Sequence, residues 1–522
     1  MGMNYQKIVK QAFDKIKFKK FDEAKKDLCR LIKKFPINTD FLNALAFVET
    51  NLNDINNSVV LLKKSISINK NQSETLRNLA LNLIQKSEFE DAQYYTNIGL
   101  ELYPEDNLFY FINGIIFSSL DNPKEAIKSY KNSLKINPNF TKAYLNLGFI
   151  LNKNKDYLGA IKIYKKLLDL EPNNHDAHYN LAISYDNHGD EEKSKIHYEE
   201  TLRLNPENDV AKFNLSVLNL LLMNFSEGWK LYQWRWYALE KPPFAREIPD
   251  CLELNKNERL LLWGEQGIGE QIIYTSMLCD LKDFKKLTVA IDPRLIQIYQ
   301  RSFKDIQFVE RQKFYDKNAF DMQLALGDLG KFLRPSVDSF KRQQKKFLLA
   351  DSEKVNYFKK KFKSQKKLLC GISWKSKNEK IGNDKSIDLE ELLPRLNTNK
   401  FNFVDLQYGD TNEEREKMLL KYQIKIDNED ELDKFNDLDS LLALIDACDV
   451  VITVSNVTAH LAGALGKKTF MLAPHVFGLI WHWHKGSESL WYPSINIIRK
   501  STDNSWADPI KKLAITLDSL IN

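Results

Sequence analysis

Residues 136–174 read INPNFTKAYLNLGFILNKNKDYLGAIKIYKKLLDLEPNN and hold one full period of a 34-residue pattern. The period runs from Pro138 to Pro172 and contains two small residues, Gly148 and Ala160, which are twelve residues apart. Small side chains at matched positions let two helices approach closely, and proline ends a helix. The stretch therefore predicts a helical hairpin that begins again after each proline.

The same register extends over the first half of the chain. Proline fills five of its six slots and lysine fills the other: Pro36, Lys70, Pro104, Pro138, Pro172 and Pro206. A small residue lies twelve positions before each slot: Ala24, Ser58, Ala92, Ala126, Ala160 and Ser194. Another lies twelve positions earlier still: Ala12, Ala46, Ala80, Gly114, Gly148 and Ala182. Since one hairpin cannot bury its apolar face alone, the repeats must stack, and the sequence predicts an all-α solenoid over residues 1–238.

The spacing and pattern resemble the tetratricopeptide repeat (TPR). Six full repeats run from Tyr5 to about Asn208, and a seventh begins near Asp209 and ends in the sequence GWKLYQWRWY. Terminal repeats are atypical, so we expect the three tryptophans of this last unit to attach it to the following domain. The alternative is a sugar-binding platform. These tryptophans are Trp229, Trp234 and Trp236.

An asparagine recurs at the sixth position of the repeat. It is found at Asn78, Asn146, Asn180 and Asn214, with Ile112 interrupting the series. Because an amide both donates and accepts hydrogen bonds, a row of them in a concave groove can hold an extended peptide by its backbone. The row resembles the asparagine ladder in the superhelix of O-linked N-acetylglucosamine transferases. The alternative is that asparagine is simply common at this position, whatever such repeats bind.

Composition narrows the class of protein. The net charge of +6 is small for 522 residues and comes from dispersed lysines, so we expect no nucleic-acid partner. Five cysteines without a CxxC pair argue against a zinc site or a disulfide framework and fit a reducing compartment. The N-terminus lacks the apolar stretch of a secretory signal, and the apolar stretch Leu108–Leu120 is too short to span a bilayer. We therefore expect a cytoplasmic chain without a transmembrane segment.

After residue 238 the period changes. Adjacent prolines, Pro242 and Pro243, predict a linker over residues 239–258. Short apolar strands then alternate with helices over residues 259–350 and again over residues 367–522, which predicts two Rossmann-like lobes with a cleft between them. The lysine-rich stretch 341–367 reads as an exposed connection between the lobes.

Unusual residues collect where predicted strands end, which is where ligands bind in such sheets. The four segments are WGEQGIGEQIIY (263–274), CGISWKSKNEKIGNDKSIDL (370–389), FVDLQYGD (403–410) and ITVSNVTAHLAGALGKKTFML (452–472). Together they resemble the catalytic half of bacterial TPR glycosyltransferases, which is related to the lipopolysaccharide heptosyltransferases. The resemblance implies a GT-B fold and transfer of a sugar from a nucleotide-sugar substrate, without a metal or another cofactor.

On the acceptor side, the resemblance places a base after the second glycine of the loop formed by Gly267 and Gly269. Glu270 stands there in place of the family's aspartate, with Glu265 as the next candidate. A base must reach the acceptor hydroxyl at about 3 Å to contribute. The alternative for Glu270 is a first-turn carboxylate that complements the helix dipole.

On the donor side, the resemblance assigns Lys385 to the donor diphosphate, with Lys375 and Lys380 as competitors. His460 matches the family histidine. The remaining donor-site candidates are Gln407, Asn456 and Thr458. Three further histidines lack the partner pattern of a metal site, and three tryptophans near them are expected to pack the cleft wall or stack on the donor base. These six residues are His475, His482, His484, Trp481, Trp483 and Trp491.

These residues favour a glycosyltransferase whose repeats recruit a polypeptide acceptor or partner protein. Two alternatives remain at this stage. The chain could be a non-catalytic interaction scaffold with a degenerate transferase domain, which the change from aspartate to Glu270 motivates. It could also be a glycan- or lipopolysaccharide-type transferase that uses the repeats for assembly.

Overall fold

The computed structural model describes residues 3–239, 247–265, 267–284, 286–311, 316, 318–364, 366–377, 381–476, 478–501 and 505–519. The chain divides into two compact units, Met1–Leu204 and Asn205–Asn522. We call them the repeat unit and the sheet unit. The first contains the six full repeats, whereas the seventh repeat belongs to the second.

The repeat unit consists of helices packed consecutively in pairs, which confirms the predicted all-helical TPR solenoid. They are α1 (Met3–Lys17), α2 (Phe21–Lys34), α3 (Thr39–Asn51), α4 (Ile55–Ile68), α5 (Ser73–Gln85), α6 (Phe89–Leu102), α7 (Asn107–Ser119), α8 (Pro123–Ile136), α9 (Thr141–Lys153), α10 (Tyr157–Leu170), α11 (His175–His188) and α12 (Glu191–Leu204). The second helix of each pair ends two residues before the proline slot, and α4 does so although Lys70 fills that slot. Proline is therefore not needed to end the helix.

The small residues that define the register are buried between helices, as predicted. In the fifth repeat Gly148 leaves room for an aromatic ring, because a Cβ atom there would lie 2.4 Å from the ring of Tyr164. Gly114 stands in the same relation to Tyr130. The long apolar stretch is α7, whose Phe109 and Ile116 are fully buried among neighbouring repeats.

Gly148→Ala should destabilise the chain by about 1–3 kcal/mol, because overpacking against Tyr164 outweighs the gain of up to about 1 kcal/mol from helix propensity. The check is the urea midpoint. Tyr164→Leu in the same chain should recover most of the loss, since Ala46 and Leu62 occupy the equivalent positions of an earlier repeat. A single variant as stable as the parent would show that the glycine is not required for this packing.

The sheet unit begins with the seventh repeat and continues into a parallel four-stranded sheet of order β3-β2-β1-β4. Its elements are α13 (Asp209–Leu221), α14 (Phe225–Tyr232), α15 (Arg235–Ala238), β1 (Leu260–Trp263), α16 (Ile268–Thr275), β2 (Leu287–Ile291), α17 (Pro293–Ser302), β3 (Gln307–Glu310), β4 (Met322–Ala325), α18 (Leu329–Leu333) and α19 (Ser352–Phe362). This sheet with its helices is the first lobe. Its strand order reverses between β1 and β4.

A second parallel sheet has six strands in the order β10-β9-β8-β5-β6-β7. Its elements are β5 (Leu368–Ile372), α20 (Gly382–Lys385), α21 (Leu389–Leu392), β6 (Phe401–Asp405), α22 (Asn412–Tyr422), β7 (Ile426–Asp427), α23 (Leu438–Ala447), β8 (Val450–Val454), α24 (Val457–Ala464), β9 (Thr469–Ala473), β10 (Ile495–Arg499) and α25 (Ala507–Ser519). Counted from β5, this is the strand order of doubly wound dinucleotide-binding sheets, and it reverses between β5 and β8. We call this sheet and its helices the second lobe.

The lysine-rich stretch 341–367 differs from the prediction of an exposed connection. It contains α19, whose Val355, Phe358 and Phe362 are buried. Their spacing of three and four residues gives the helix one apolar side. The composition alone does not show this side, because lysines are the commonest residues of the stretch. The prediction also omitted α22 and the edge strands β7 and β10.

Part of the predicted linker is packed on the first lobe. Residues 240–246, including the two adjacent prolines, lie outside the described residues. Ile248 and Cys251 are buried, and the amide of Cys251 donates to the carbonyl of Gln323 in β4 at 2.9 Å. Within the described ranges, no helix is both long and apolar enough to cross a membrane.

Candidate functional site

Two helices, one from each lobe, begin at the same place in the sheet unit. α16 follows β1 at the reversal point of the first sheet, and α24 follows β8 at that of the second. They come so close that a Cβ atom on Gly269 would lie 2.8 Å from the ring of His460. Gly267 and Gly269 both lack a positive φ, so the tight approach explains Gly269 better than backbone freedom does.

Neither N-cap residue provides a side-chain cap for its helix, although in the first turn of α16 the carboxylate of Glu270 accepts from its own backbone N–H. The N-cap residue of α16 is Gly267, which has no side chain to offer, and Asn456 at the N-cap of α24 makes no capping hydrogen bond. Thr458 is buried in the first turn of α24. Uncapped N–H groups and the positive ends of two helix dipoles favour an anion at this point.

Three ionisable side chains that the sequence predicted separately lie close enough to act on one another's charge. Burial raises the pKa of Glu270, and the ammonium group of Lys385 works in the opposite direction. Burial lowers the pKa of Lys385 to about 8, against the influence of Glu270. Burial, aided by the charge of Lys385, lowers the pKa of His460 to about 3. At neutral pH the site therefore holds a neutral imidazole beside a lysine that can still gain or lose its proton.

The surroundings of His460 include Trp483, which the sequence predicted to lie in the cleft wall or on the donor base, and two residues that sequence reasoning did not assign to the site, Tyr492 and His482. The Nδ1 atom of His460 lies 3.0 Å from the hydroxyl of Tyr492, and its ring centroid lies 5.1 Å from that of Trp483. His482 lies beside it at 5.3 Å, fully buried, and neither of its ring nitrogens has a hydrogen-bond partner among the described residues. The sequence WHWH at 481–484 indicates that aromatic rings collect near the site, but its spacing does not show which of them lie beside His460.

Gln407 and Asn456 hold the loop that follows β5. The side-chain oxygen of Gln407 accepts hydrogen bonds from Ser373 Oγ and from the amides of Trp374 and Lys375, at 2.9–3.1 Å. The amide nitrogen of Asn456 donates to Ser373 Oγ at 2.7 Å and to the carbonyl of Lys375 at 3.2 Å. These contacts give both side chains a positioning role at the reversal point between β5 and β8. The side-chain oxygen of Asn456 accepts from Thr453 Oγ1 at 3.1 Å and does not cap α24.

The other lysine candidates have different surroundings from Lys385. Lys375 is exposed and forms an ion pair with Glu414 on α22. Lys380 lies outside the described residues. Lys385 is 3% exposed at the end of α20. Among the described candidates, Lys385 is the one whose charge acts on Glu270 and His460.

Glu265 belongs to a buried ion network that joins the seventh repeat to the first lobe. Arg235 on α15 is fully buried and donates to Glu265 at 2.6 and 2.9 Å and to Asp328 at 2.8 Å. Glu265 also accepts from the amide of Gly327 at 3.0 Å. With its oxygens held in this way, Glu265 is suited to attaching α15 and is poorly placed to accept a proton from a substrate.

The tryptophans of the seventh repeat attach it in part as predicted. Trp229 Nε1 donates to the carbonyl of Arg334 at 2.9 Å, and the ring of Trp229 packs edge-on against Trp481. Trp236 packs on Trp263 of β1. Trp234 instead lies under Lys212 of the same repeat, with the ammonium 3.5 Å from the ring centroid.

The asparagines at the sixth repeat position have unequal surroundings. Asn78 is exposed and lines a cavity of the repeat unit. The side chain of Asn146 bonds to the hydroxyl of Tyr130, and that of Asn180 donates to the carbonyl of Asp176 in its own helix at 2.8 Å. Asn214 is half-buried on α13 of the sheet unit. The sequence predicted a uniform ladder of asparagines along one wall. In the structure Asn78 is exposed, whereas the side chains of Asn146 and Asn180 already form hydrogen bonds within the repeats.

The remaining predictions concern the histidines, the tryptophans and the acidic run 427–439. Among the described residues no group of three His, Cys, Asp or Glu side chains is placed to hold a metal ion. Trp481, Trp483 and Trp491 are buried in the core. From its composition the acidic run is expected to be a solvated loop that caps the following helix. Asp437 does cap α23, but Asp439 is buried and bonds to Lys354 at 2.8 Å, so the run is not simply a solvated loop.

Glu265→Gln should destabilise the sheet unit by about 3–5 kcal/mol, because removing one partner leaves part of the buried charge of Arg235 uncompensated. The denaturant midpoint measures this. Glu227→Gln is the matched control, since it removes the carboxylate of an exposed pair with Lys230 and should scarcely move the midpoint. Equal effects of the two substitutions would mean that the Arg235 network does not hold the seventh repeat.

Family models for the tetratricopeptide repeat match residues 109–140, 129–162 and 163–195. The chain is 29% identical to Protein FlbA of Caulobacter vibrioides over 58% of this chain and 54% of FlbA. It is 27% identical to a TPR repeat-containing protein of Methanocaldococcus jannaschii over 14% of this chain and 22% of that protein. The chain thus spans about half the length of FlbA and less of the other relative. Since 58% of 522 residues exceeds the repeat region, the match to FlbA must reach beyond the repeats.

Solved structures resemble the chain more weakly. MamA aligns at 19% identity with a TM-score of 0.30, over 32% of this chain and 92% of MamA. YrrB, a TPR protein with an unusual peptide-binding site, aligns at 16% identity with a TM-score of 0.31, over 35% of this chain and 95% of YrrB. A tetratricopeptide repeat protein from Parabacteroides merdae aligns at 17% identity with a TM-score of 0.39, over 47% of this chain and 96% of that protein. Each covers less than half of this chain.

Proposed function

We propose that the sheet unit is a GT-B-type glycosyltransferase and that the repeats recruit its acceptor, a polypeptide. The observation that carries the proposal is the meeting of Glu270, Lys385 and His460 where α16 and α24 begin. One carboxylate, one cation and two helix N-termini whose N-cap residues make no capping bond are the groups that transfer from a nucleotide-sugar requires. The TPR repeats support a protein partner independently of the chemistry.

In the proposed reaction, the oxygen of an acceptor hydroxyl attacks the anomeric carbon of the donor. The bond from that carbon to the diphosphate oxygen breaks, and the nucleoside diphosphate leaves with the electron pair. Glu270 receives the hydroxyl proton, and its raised pKa makes it a better base than an ordinary carboxylate. Lys385 and the N–H groups of α24 offset the charge that develops on the diphosphate.

His460 and Lys385 would divide the donor site between them. The neutral ring of His460, held by Tyr492, can exchange hydrogen bonds with a phosphate or a sugar hydroxyl without adding charge. Lys385 supplies the positive charge in a setting where burial strengthens its attraction for the diphosphate. Gln407 and Asn456 keep the loop after β5 in place beside them.

A non-catalytic interaction scaffold is the second candidate, and two observations favour it. The family models match the repeats, and Glu270 replaces the shorter aspartate of the heptosyltransferase pattern. A scaffold of this kind would bind a partner protein through the repeats and give no turnover with any nucleotide-sugar. Binding and turnover measurements distinguish the two candidates.

Nucleoside diphosphate affinity should fall as the pH rises above the Lys385 pKa of about 8, since the neutral amine attracts the diphosphate less. Calorimetry with UDP, GDP, CDP and ADP should show about tenfold weaker binding of the preferred one when the pH is raised from about 8 to about 9.5. The Lys385→Ala variant should bind the nucleoside diphosphate weakly at every pH, and its affinity should be nearly independent of pH. Lys331→Ala, which removes an exposed lysine, is the control and should behave like the parent. A pH-independent parent would exclude Lys385 from the site.

Glu270→Gln should lower turnover by about 10²-fold or more while donor affinity stays near the parental value, because the amide cannot accept the proton. The assay is release of the nucleoside diphosphate from the nucleotide-sugar that binds best, with protein acceptors present. Glu253→Gln, which alters an exposed carboxylate of the same lobe, serves as the control. Unchanged turnover in Glu270→Gln would remove the base from the mechanism, and an inactive parent that still binds protein partners would favour the scaffold.

A further inference from the structure

The repeats carry an apolar residue three positions after the asparagine position. Residues three apart on a helix share a face, so the two series lie side by side on the first helix of each repeat. The apolar series within the repeat unit is Phe13, Phe47, Leu81, Ile115, Phe149 and Ile183. We call it the apolar stripe. The small residue one position before each member makes the closest helix–helix contacts, while members of the stripe pack only in part: Phe47 meets Phe21 edge-on at 6.3 Å and Ile115 lies against a buried cluster.

Several members of the apolar stripe are unusually exposed for large side chains. Phe13 is 42% exposed, Phe47 is 49% exposed and Phe149 is 57% exposed. Leaving rings of this size in water at a fixed register costs the folded chain stabilisation that burial would give. Recurrent exposure of this kind marks a surface that a partner covers.

The first three repeats enclose a cavity of about 700 Å³ beside the apolar stripe, a volume typical of ligand pockets. Phe13 and Phe47 line it together with Asn43 and Asn78. The amide nitrogen of Asn43 donates to Gln72 at 2.8 Å, whereas its buried oxygen has no hydrogen-bond partner among the described residues. An unpaired buried acceptor carries a cost that a donor from a ligand would remove.

The charged side chains that line this cavity are acidic. They are Asp40 and Glu74, both exposed and both in the first turns of their helices, and no basic residue is among the lining residues described. The ion pairs of the neighbouring helices use other carboxylates, as in Lys63–Asp91 and Arg77–Asp106. The cavity therefore combines aromatic walls, an unpaired amide oxygen and negative charge.

We propose that the groove of the first three repeats binds an extended polypeptide segment in which apolar or aromatic residues alternate with lysine or arginine. Successive side chains of an extended chain point to opposite sides, so apolar side chains can meet Phe13 and Phe47 while cations meet Asp40 and Glu74. A backbone N–H donates to the free oxygen of Asn43, and Asn78 offers a further amide. Such a segment would be the acceptor of the proposed transferase. Its binding does not depend on the proposed function, and only its glycosylation after binding does.

The test is fluorescence anisotropy of the full chain with labelled synthetic peptides and no nucleotide-sugar. The probe alternates phenylalanine with lysine, a second peptide replaces lysine with glutamate, and a third replaces phenylalanine with serine. We expect the first to bind at least about tenfold more tightly than either of the others and to weaken at high salt. Because no transfer is measured, a chain without transferase activity would still give this result.

Matched variants assign the contacts. Asp40→Asn with Glu74→Gln should remove the preference for lysine over glutamate, Phe47→Ser should weaken the phenylalanine probe about tenfold, and Asn43→Ala should weaken it too. Tyr94→Ser is the control, since that ring is 61% exposed on α6 and does not line the cavity. The thermal midpoint of each variant identifies any loss of folding, and the charge pair keeps the test decisive if Phe47→Ser is unstable.

Equal affinity for the lysine and glutamate probes, or binding that the Asp40/Glu74 and Asn43 variants leave unchanged, would overturn the proposal. So would a concentration-dependent dimer of the parent chain that Phe47→Ser dissolves, because the groove would then be an interface between two copies. Retention of the preference in Tyr94→Ser together with its loss in the charge variant would support it.

Discussion

The close approach of α16 to α24 is the constraint on which the candidate site depends. Gly269 leaves no side chain between the two helices, and the ring of His460 occupies the space against it. A side chain at position 269 would push the lobes apart or displace the imidazole, since a Cβ atom there would overlap the ring. That single contact brings two helix N-termini, a carboxylate from one lobe and a lysine from the other to the same point.

The repeat half could be predicted from the sequence almost residue by residue, because its register is local. Small residues and proline slots recur at one spacing, and the second helix of each repeat ends two residues before its slot. In the sheet half the buried strands β2 and β8 are short apolar runs with clear flanks, so the sequence alone indicates where they begin and end. Helix α19 was missed because lysines dominate its composition while three residues on one side form its buried face.

The sequence predicted that the candidate residues follow the ends of strands. It did not predict which of their side chains come into contact. Glu270, Lys385 and His460 were singled out from separate segments, and their mutual influence depends on how two sheets pack, which no spacing in the sequence records. For the same reason the sequence offered Glu265 as a second candidate base and Gln407 and Asn456 as donor-site candidates without showing their partners. Each has a defined partner in the fold: Arg235, the loop after β5, or Ser373.

The most direct measurement of the central claim is amide hydrogen exchange of the full chain with and without a saturating nucleoside diphosphate. If the diphosphate binds between the lobes, exchange should slow in the first turns of α16 and α24, near Gly269 and His460, and stay unchanged in the repeat unit. Protection confined to other parts of the chain, or no protection with any nucleoside diphosphate, would contradict it.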